Sequence, residues 1–204
     1  MKLILASASP RRAEILRRAG FAFEPRAAEV DETRLPGEGA EDYVRRLAEA
    51  KARVIIESRV ENTAESAKER EPAIVVGADT AVVVEGEILG KPQDADEARR
   101  MLRRLSGRTH EVLTGLCVIG VPEGPETLHV ERTRVTFLEL SSGEVEDYIA
   151  TGEPFDKAGA YGIQGIGGRF VRRIEGCYFN VMGLPLAKLW SLIRAFEKEQ
   201  AAGG

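Results

Sequence analysis

Leu3-Ile4-Leu5-Ala6-Ser7-Ala8-Ser9-Pro10-Arg11-Arg12 reads as a strand, an anion-binding turn and the start of a helix. Ser9 suits the N-cap, and Pro10 falls at the first helical position, where its missing N–H costs nothing. Gly20 closes the helix at its far end. A helix N-terminus presents unpaired N–H groups and roughly half a positive charge, so an anion is favoured there. Arg11 and Arg12 stand in the first turn, where that dipole disfavours cations, and an anion gripped by a planar guanidinium would neutralise both. A capped surface helix with solvated arginines fits this segment equally well.

The rest of the chain extends the α/β pattern. With 204 residues, 43% of them hydrophobic, there is enough apolar material for one sizeable core. We expect a single domain over residues 1–200 and a disordered tail over 201–204. No apolar run is long enough to span a membrane and no signal pattern leads the chain, so a soluble, cytoplasmic protein without a membrane partner is expected. The formal charge of −4 argues against a nucleic-acid partner, which needs a concentrated basic face. Cys117 and Cys177 make neither a disulfide framework nor a zinc site, and His110 and His129 lack ligand spacing. Any metal should therefore be held by carboxylates and phosphate.

Further along, Phe21 to Glu24 reads as a short strand, followed by an acidic loop with Glu29, Asp31 and Glu32. A helix is predicted from Glu41 to Glu57, with Val44, Leu47, Ala48, Val54 and Ile55 on its apolar stripe. Lys51 falls on that stripe, either snorkelling past its edge or directed into an anionic cleft. Residues 58–71, rich in charge and small polar side chains, read as a surface excursion. Ala73 to Val76 is a strand leading into Gly77-Ala78-Asp79-Thr80, then a hairpin turning at Glu85-Gly86. Asp94 with Glu97 and Ser141 with Glu144 cap two more helices. Between those helices lie strands at His110 to Val121 and Glu126 to Leu138. A glycine-rich segment, Gly159 to Gly168, precedes a strand around Phe170 to Ile174 and a final helix from Leu184 to Glu199.

Common nucleotide motifs fail on spacing. Gly86 to Pro92 is one residue too short for a Walker A loop and has Pro92 where a magnesium-binding hydroxyl belongs. The glycines from Gly162 to Gly168 are out of register for a dinucleotide fingerprint. Together, however, SASPRR (7–12), Lys51 in AEAKA, GADT (77–80), GKP (90–92), SGRTHEV (106–112), DKAGAYGIQG (156–165) and GLP (183–185) occur in an order that resembles the Maf family of nucleotide pyrophosphatases. Residues 58–71 look like an insertion relative to that family.

The resemblance implies an α/β fold, a mixed twisted sheet flanked by helices in two lobes with a central cleft, similar to inosine-triphosphate pyrophosphatases. It implies hydrolysis of a nucleoside triphosphate to monophosphate and pyrophosphate with a divalent cation, Mg²⁺ or Mn²⁺, and a homodimer. Asp79 matches the family's catalytic acid. Ser7, Arg11, Arg12, Glu32, Lys51, Thr80, Lys91 and Gln164 match its substrate-site positions, and the turn at Ser9 joins them. The family's association with inhibition of septum formation implies an alternative, a nucleotide-binding regulator with slow hydrolysis.

These residue types suit the chemistry. Charge grows on the leaving group as a phosphoanhydride breaks, so cations such as Arg12, Lys51 and Lys91 stabilise it. An ionised Asp79 either takes a proton from water attacking the α-phosphorus or ligates the metal, with Glu32 as a further ligand. Gln164 offers one donor and one acceptor, which match the N3–H and adjacent carbonyl of uracil or thymine, whereas a carboxylate better meets guanine's two donors. Within the family, the positions of Arg11, Thr80 and Gln164 match the branch acting on dTTP and UTP.

Overall fold

The computed structural model describes residues 1–62, 71–122 and 124–203. In chain order the elements are β1 (Lys2–Ala6), α1 (Pro10–Arg18), β2 (Glu24–Arg26), α2 (Ala40–Asn62), β3 (Ala73–Val84), β4 (Glu87–Leu89), α3 (Ala95–Leu105), β5 (Thr109–Val121), β6 (Glu126–Phe137), α4 (Ser142–Ala150), β7 (Val171–Glu175), α5 (Tyr178–Val181) and α6 (Leu186–Gly203). Among the described residues the strands form a seven-stranded sheet in the order β2-β1-β3-β5-β6-β7, with β4 paired to β3. It is a mixed sheet: β1 runs parallel to β2 and β3, while β3–β4 and β6–β7 are antiparallel. The expected α/β class is therefore present.

The chain divides into two compact units. The first comprises Met1–Asp79, Thr114–Val130 and Gly183–Gly204. Its core joins Ile4, Ala6, Val75, Cys117 and Ile119 from the strands to Ala48, Ala52 and Ile55 of α2. Helix α2 carries alanines there because the sheet beneath it carries glycines. A Cβ on Gly115 would stand 2.1 Å from the Val44 carbonyl oxygen, and one on Gly77 would stand 2.0 Å from that of Ala48. Only bare backbone admits a helix this near.

Helix α1 ends as the sequence indicates. Gly20, at φ +78°, donates its N–H to the Arg17 carbonyl, and Phe21 donates to that of Leu16, a Schellman closure. Strand β2 lies at Glu24–Arg26 instead of starting at Phe21, and Glu24 is tied by Lys2 of β1 and by its own neighbour Arg26, each at 2.6 Å. Those two cations hold the Glu24 carboxyl down to about 2. Helix α2 runs beyond Glu57 to Asn62, so the surface excursion expected from residue 58 begins as helix. Its remainder, 63–70, lies outside the described residues. Helix α6 runs from Leu186 to Gly203, and Leu189, Ile193 and Phe196 bury a stripe that anchors it.

The second unit comprises Thr80–Leu113 and Glu131–Met182. Its core packs Met101, Leu102 and Leu105 of α3 and Val145, Tyr148 and Ile149 of α4 with Val82, Val84, Val112, Val135, Phe137, Tyr161 and Phe170. The ring of His110 packs edge-on against Phe137 and Tyr161, and its Nε2 lies 2.8 Å from the Tyr161 hydroxyl. His110 is thus a buried side chain packed between two core rings. Glu85 and Gly86 both take positive φ in the β3–β4 turn, as a tight hairpin requires. Asp94 accepts the Glu97 N–H at the start of α3, and Ser141 with Glu144 forms a reciprocal capping box on α4.

Candidate active site

Strand β1 stops at Ala6, opposite Gly77, while β3 continues. Asp79 therefore sits two residues past its neighbour's end, beside the turn that leaves β1. The sequence places Asp79 just beyond a strand; it lies instead inside a continuous one, Ala73–Val84. Gly77-Ala78 does not break the strand, because Gly77 serves close packing and not a turn. Residues 77 and 79 share a face of β3, and α2 covers that face at Gly77. Lys51, three positions after Ala48, thus reaches the carboxylate.

The ammonium of Lys51 donates to Asp79 Oδ1 at 2.7 Å and to Glu32 Oε1 at 2.6 Å. The Lys51 and Asp79 side chains are only 9% and 11% exposed, so Lys51 is turned inward and does not snorkel. Burial pushes the Asp79 carboxyl above the usual carboxylate range, although Lys51 and Arg12 pull the other way. A carboxylate in that state is a better proton acceptor than a solvated one.

Arg12 is buried as well. Its Nε donates to the Gly183 carbonyl at 2.7 Å and its Nη1 to Ser7 Oγ at 3.1 Å. Burial draws its guanidinium down from the usual arginine range while nearby Asp79 opposes this. The Ser7 hydroxyl also accepts the Ser9 N–H at 3.2 Å. Ser9 occupies the N-cap with extended backbone, but its side chain makes no capping bond. The expected cap is thus corrected: Ser7 fastens the turn. Arg11, half-buried, is near enough for its charge to weigh on Arg12.

Glu32 comes from the acidic loop, which is bolted to α2 by residues that sequence reasoning missed. The Tyr43 hydroxyl donates to the Glu32 carbonyl at 3.0 Å. Arg46 grips Glu38 through Nε and Nη2 at 2.6 and 2.8 Å and also reaches the Thr33 carbonyl at 3.1 Å. Tyr43 and Arg46, three apart on a helix, necessarily share a face; that spacing beside an acidic loop was the available signal.

The structure therefore brings Ser7, Arg12, Glu32, Lys51 and Asp79 together in the first unit. Thr80, Lys91 and Gln164 belong to the second. Thr80 follows Asp79 on β3 and is half-buried, and Lys91 is exposed after β4. Gln164 is exposed on a turn closed by the Gly165 N–H on the Gly162 carbonyl at 3.2 Å. No helix among the described residues is long and apolar enough to cross a membrane.

Fold and site define an α/β protein with a buried carboxylate–ammonium–guanidinium cluster at the end of its first strand. The chain belongs to the Maf family, whose sequence profile, described as Maf-like protein, matches residues 2–196. It is 49% identical over 194 residues to the dTTP/UTP pyrophosphatase of Koribacter versatilis, covering 95% of this chain and 94% of that one. Against the dTTP/UTP pyrophosphatase of Myxococcus xanthus it is 52% identical over 191 residues, covering 94% and 90%. The Staphylococcus aureus Ham1 structure overlaps 68% of this chain and 73% of its own at 13% identity, with a TM-score of 0.41, too loose a likeness to build on.

Proposed function

We propose that this chain is a nucleoside triphosphate pyrophosphatase that converts dTTP and UTP to the monophosphate and pyrophosphate. The observation that carries the reading is the buried Lys51 ammonium shared by Asp79 and Glu32 beside Arg12, in a chain half identical to proteins named for that reaction. Residues 1–200 act as one functional domain, and we read the protein as a cytoplasmic homodimer.

In this reading Asp79 accepts a proton from the water whose oxygen attacks the α-phosphorus. The bond from that phosphorus to the bridging oxygen breaks, and pyrophosphate leaves with the electron pair. Arg12 and Lys51 offset the charge that accumulates on it. Arg12 is held in place before substrate arrives, since Gly183 and Ser7 fix two of its nitrogens. Pre-set donors cost no reorganisation at the moment of reaction. The resemblance assigns Arg11, Thr80, Lys91 and Gln164 to the same substrate, Lys91 as a phosphate cation and the others to base choice.

Among the described residues, no three His, Cys, Asp or Glu side chains gather as a metal site. Asp79 and Glu32 nevertheless fit a divalent cation, since both are hard oxygen donors directed at one ammonium, and magnesium takes few carboxylates when phosphates and water complete its shell. Bound there, the ion would supply Lewis-acid charge to the phosphates.

The test is a panel of nucleoside triphosphates with Mg²⁺ or Mn²⁺, with products separated. UMP and pyrophosphate from UTP are expected. UDP with orthophosphate would make the protein a terminal phosphatase, and no turnover of any nucleotide would sink the enzymatic reading.

A further inference from the structure

The glycine-rich segment of the second unit is wrapped around one carboxylate that no motif singled out. Glu153, between Gly152 and Pro154, accepts the Ile166 N–H on Oε2 at 2.8 Å and the Gly167 N–H on Oε1 at 3.1 Å. Its Oε1 also accepts the Tyr148 hydroxyl at 2.7 Å. That same hydroxyl oxygen accepts the Gly162 N–H at 3.1 Å. The turn Gly162-Ile163-Gln164-Gly165 is thus fastened to one Tyr148–Glu153 pair at Gly162 and, just past Gly165, at Ile166 and Gly167, while Gln164 is exposed.

The glycines are explained by this wrapping. A Cβ on Gly165 would stand 2.2 Å from Glu153 Oε2, and one on Gly167 would stand 2.6 Å from the Tyr148 hydroxyl. On Gly162 it would meet the Lys157 side chain at 2.5 Å, and Lys157 donates to the Glu153 carbonyl at 2.7 Å. Partial burial works against ionisation of Glu153. The Gly167 N–H, the Tyr148 hydroxyl and the Ile166 N–H outweigh it and hold the carboxyl below its usual range. Three donors converging on one carboxylate make a stiff joint, because charge-assisted bonds are about twice as strong as neutral ones.

We propose that Glu153, with Tyr148, is a positioning residue for base selection: it fixes the main chain that displays Gln164. The inference rests on the proposed reading of Gln164 as the residue that meets the base. An amide meets uracil's carbonyl and N3–H in one setting and cytosine's reversed pattern by turning over. Turning over is a rotation about the side chain's own bonds; what the turn beneath Gln164 sets is the distance and angle at which the amide meets the base, so a shifted turn weakens the uracil pairing. Carboxylate chemistry matters here, since a carboxamide has one accepting end and a donor at the other, and a donor there would oppose a backbone N–H.

The experiment measures kcat/KM for UTP and for CTP in Glu153→Gln, Tyr148→Phe and Gln164→Ala, and in Gln164→Ala combined with each of the other two. Tyr148→Phe keeps the ring that packs edge-on against Phe170, so one variant preserves the core, and thermal unfolding identifies any that does not fold. We expect Glu153→Gln and Tyr148→Phe each to lower the UTP preference about 2- to 10-fold, the worth of one hydrogen bond, mainly through KM. Either change should add nothing in the Gln164→Ala background. Equal effects in both backgrounds, or unchanged preference in the two single variants while Gln164→Ala lowers it, would overturn the positioning role and leave the base reading intact. Unchanged preference in Gln164→Ala would overturn the base reading, and the inference with it.

Discussion

Gly77 lies directly under the carbonyl of Ala48, so close that a methyl group on Gly77 would stand 2.0 Å from that oxygen and 2.9 Å from the Ala52 nitrogen. This contact sets the depth of α2 on the sheet and with it the reach of Lys51. Gly77→Ala should destabilise the fold by about 1–3 kcal/mol or more, as overpacking does, and should reduce turnover in the fraction that stays folded. Urea unfolding and a pyrophosphate assay on the same sample check both.

Removing Lys51 leaves Asp79 buried without its ion-pair partner. Lys51→Ala is expected to lower turnover and to destabilise the fold, since removing one partner of a buried ion pair costs several kcal/mol and the nearby Arg12 charge offsets only part of it. The loss should shrink as the pH is lowered, because protonating Asp79 removes the charge. Adding Asp79→Asn should restore stability without restoring turnover. Normal turnover in Lys51→Ala would return that lysine to a purely structural role.

Asp79→Asn alone should lower kcat by about 10²- to 10⁴-fold, the range for loss of a positioned base, with no decrease in Tm. Lys51 still has Glu32 as its counter-charge. Manganese affinity measured on the same variant, with nucleotide bound, distinguishes base from ligand: unchanged affinity with lost turnover excludes the ligand role.

Glu32→Gln should weaken manganese binding to the nucleotide complex and raise the metal concentration needed for half-maximal turnover. The Glu32 side chain is 56% exposed, so little loss of stability is expected. An unchanged metal requirement would remove Glu32 from the proposed ligand set.

His110 titrates with a predictable sign. Burial lowers its pKa from 6.5 to about 4, and its Nδ1 has no hydrogen-bond partner among the described residues. The unfolded chain therefore binds the proton more readily than the native one. The stability His110 contributes is fully present above pH 6.5 and is lost progressively toward pH 4, by up to about 3 kcal/mol. Denaturant unfolding across that window should show the slope, and His110→Gln should flatten it.

Much of this was legible in the sequence because local chemistry fixed it. Ser141 with Glu144, the Glu85-Gly86 turn and Gly20 each satisfy orphan backbone groups within a few residues, so their meaning needs no tertiary contact. Lys51 was readable as far as a choice of two directions, which only the sheet beneath it could settle. Gly77 misled because a glycine kept for close approach looks the same in a sequence as one kept for a turn. Glu153 gave no signal at all, since the amides it holds lie 13 and 14 residues onward and amides have no side-chain identity.

The bond from Arg12 to the Gly183 carbonyl spans 171 residues of chain. A ribosome that has delivered Asp79 has already supplied the carboxylates, the ammonium and the guanidinium of the cluster. What it has not yet made is the carbonyl that aims the guanidinium. Alignment of the guanidinium thereby waits until residue 183 has been added, and a chain cut short before it carries the chemical groups without their alignment.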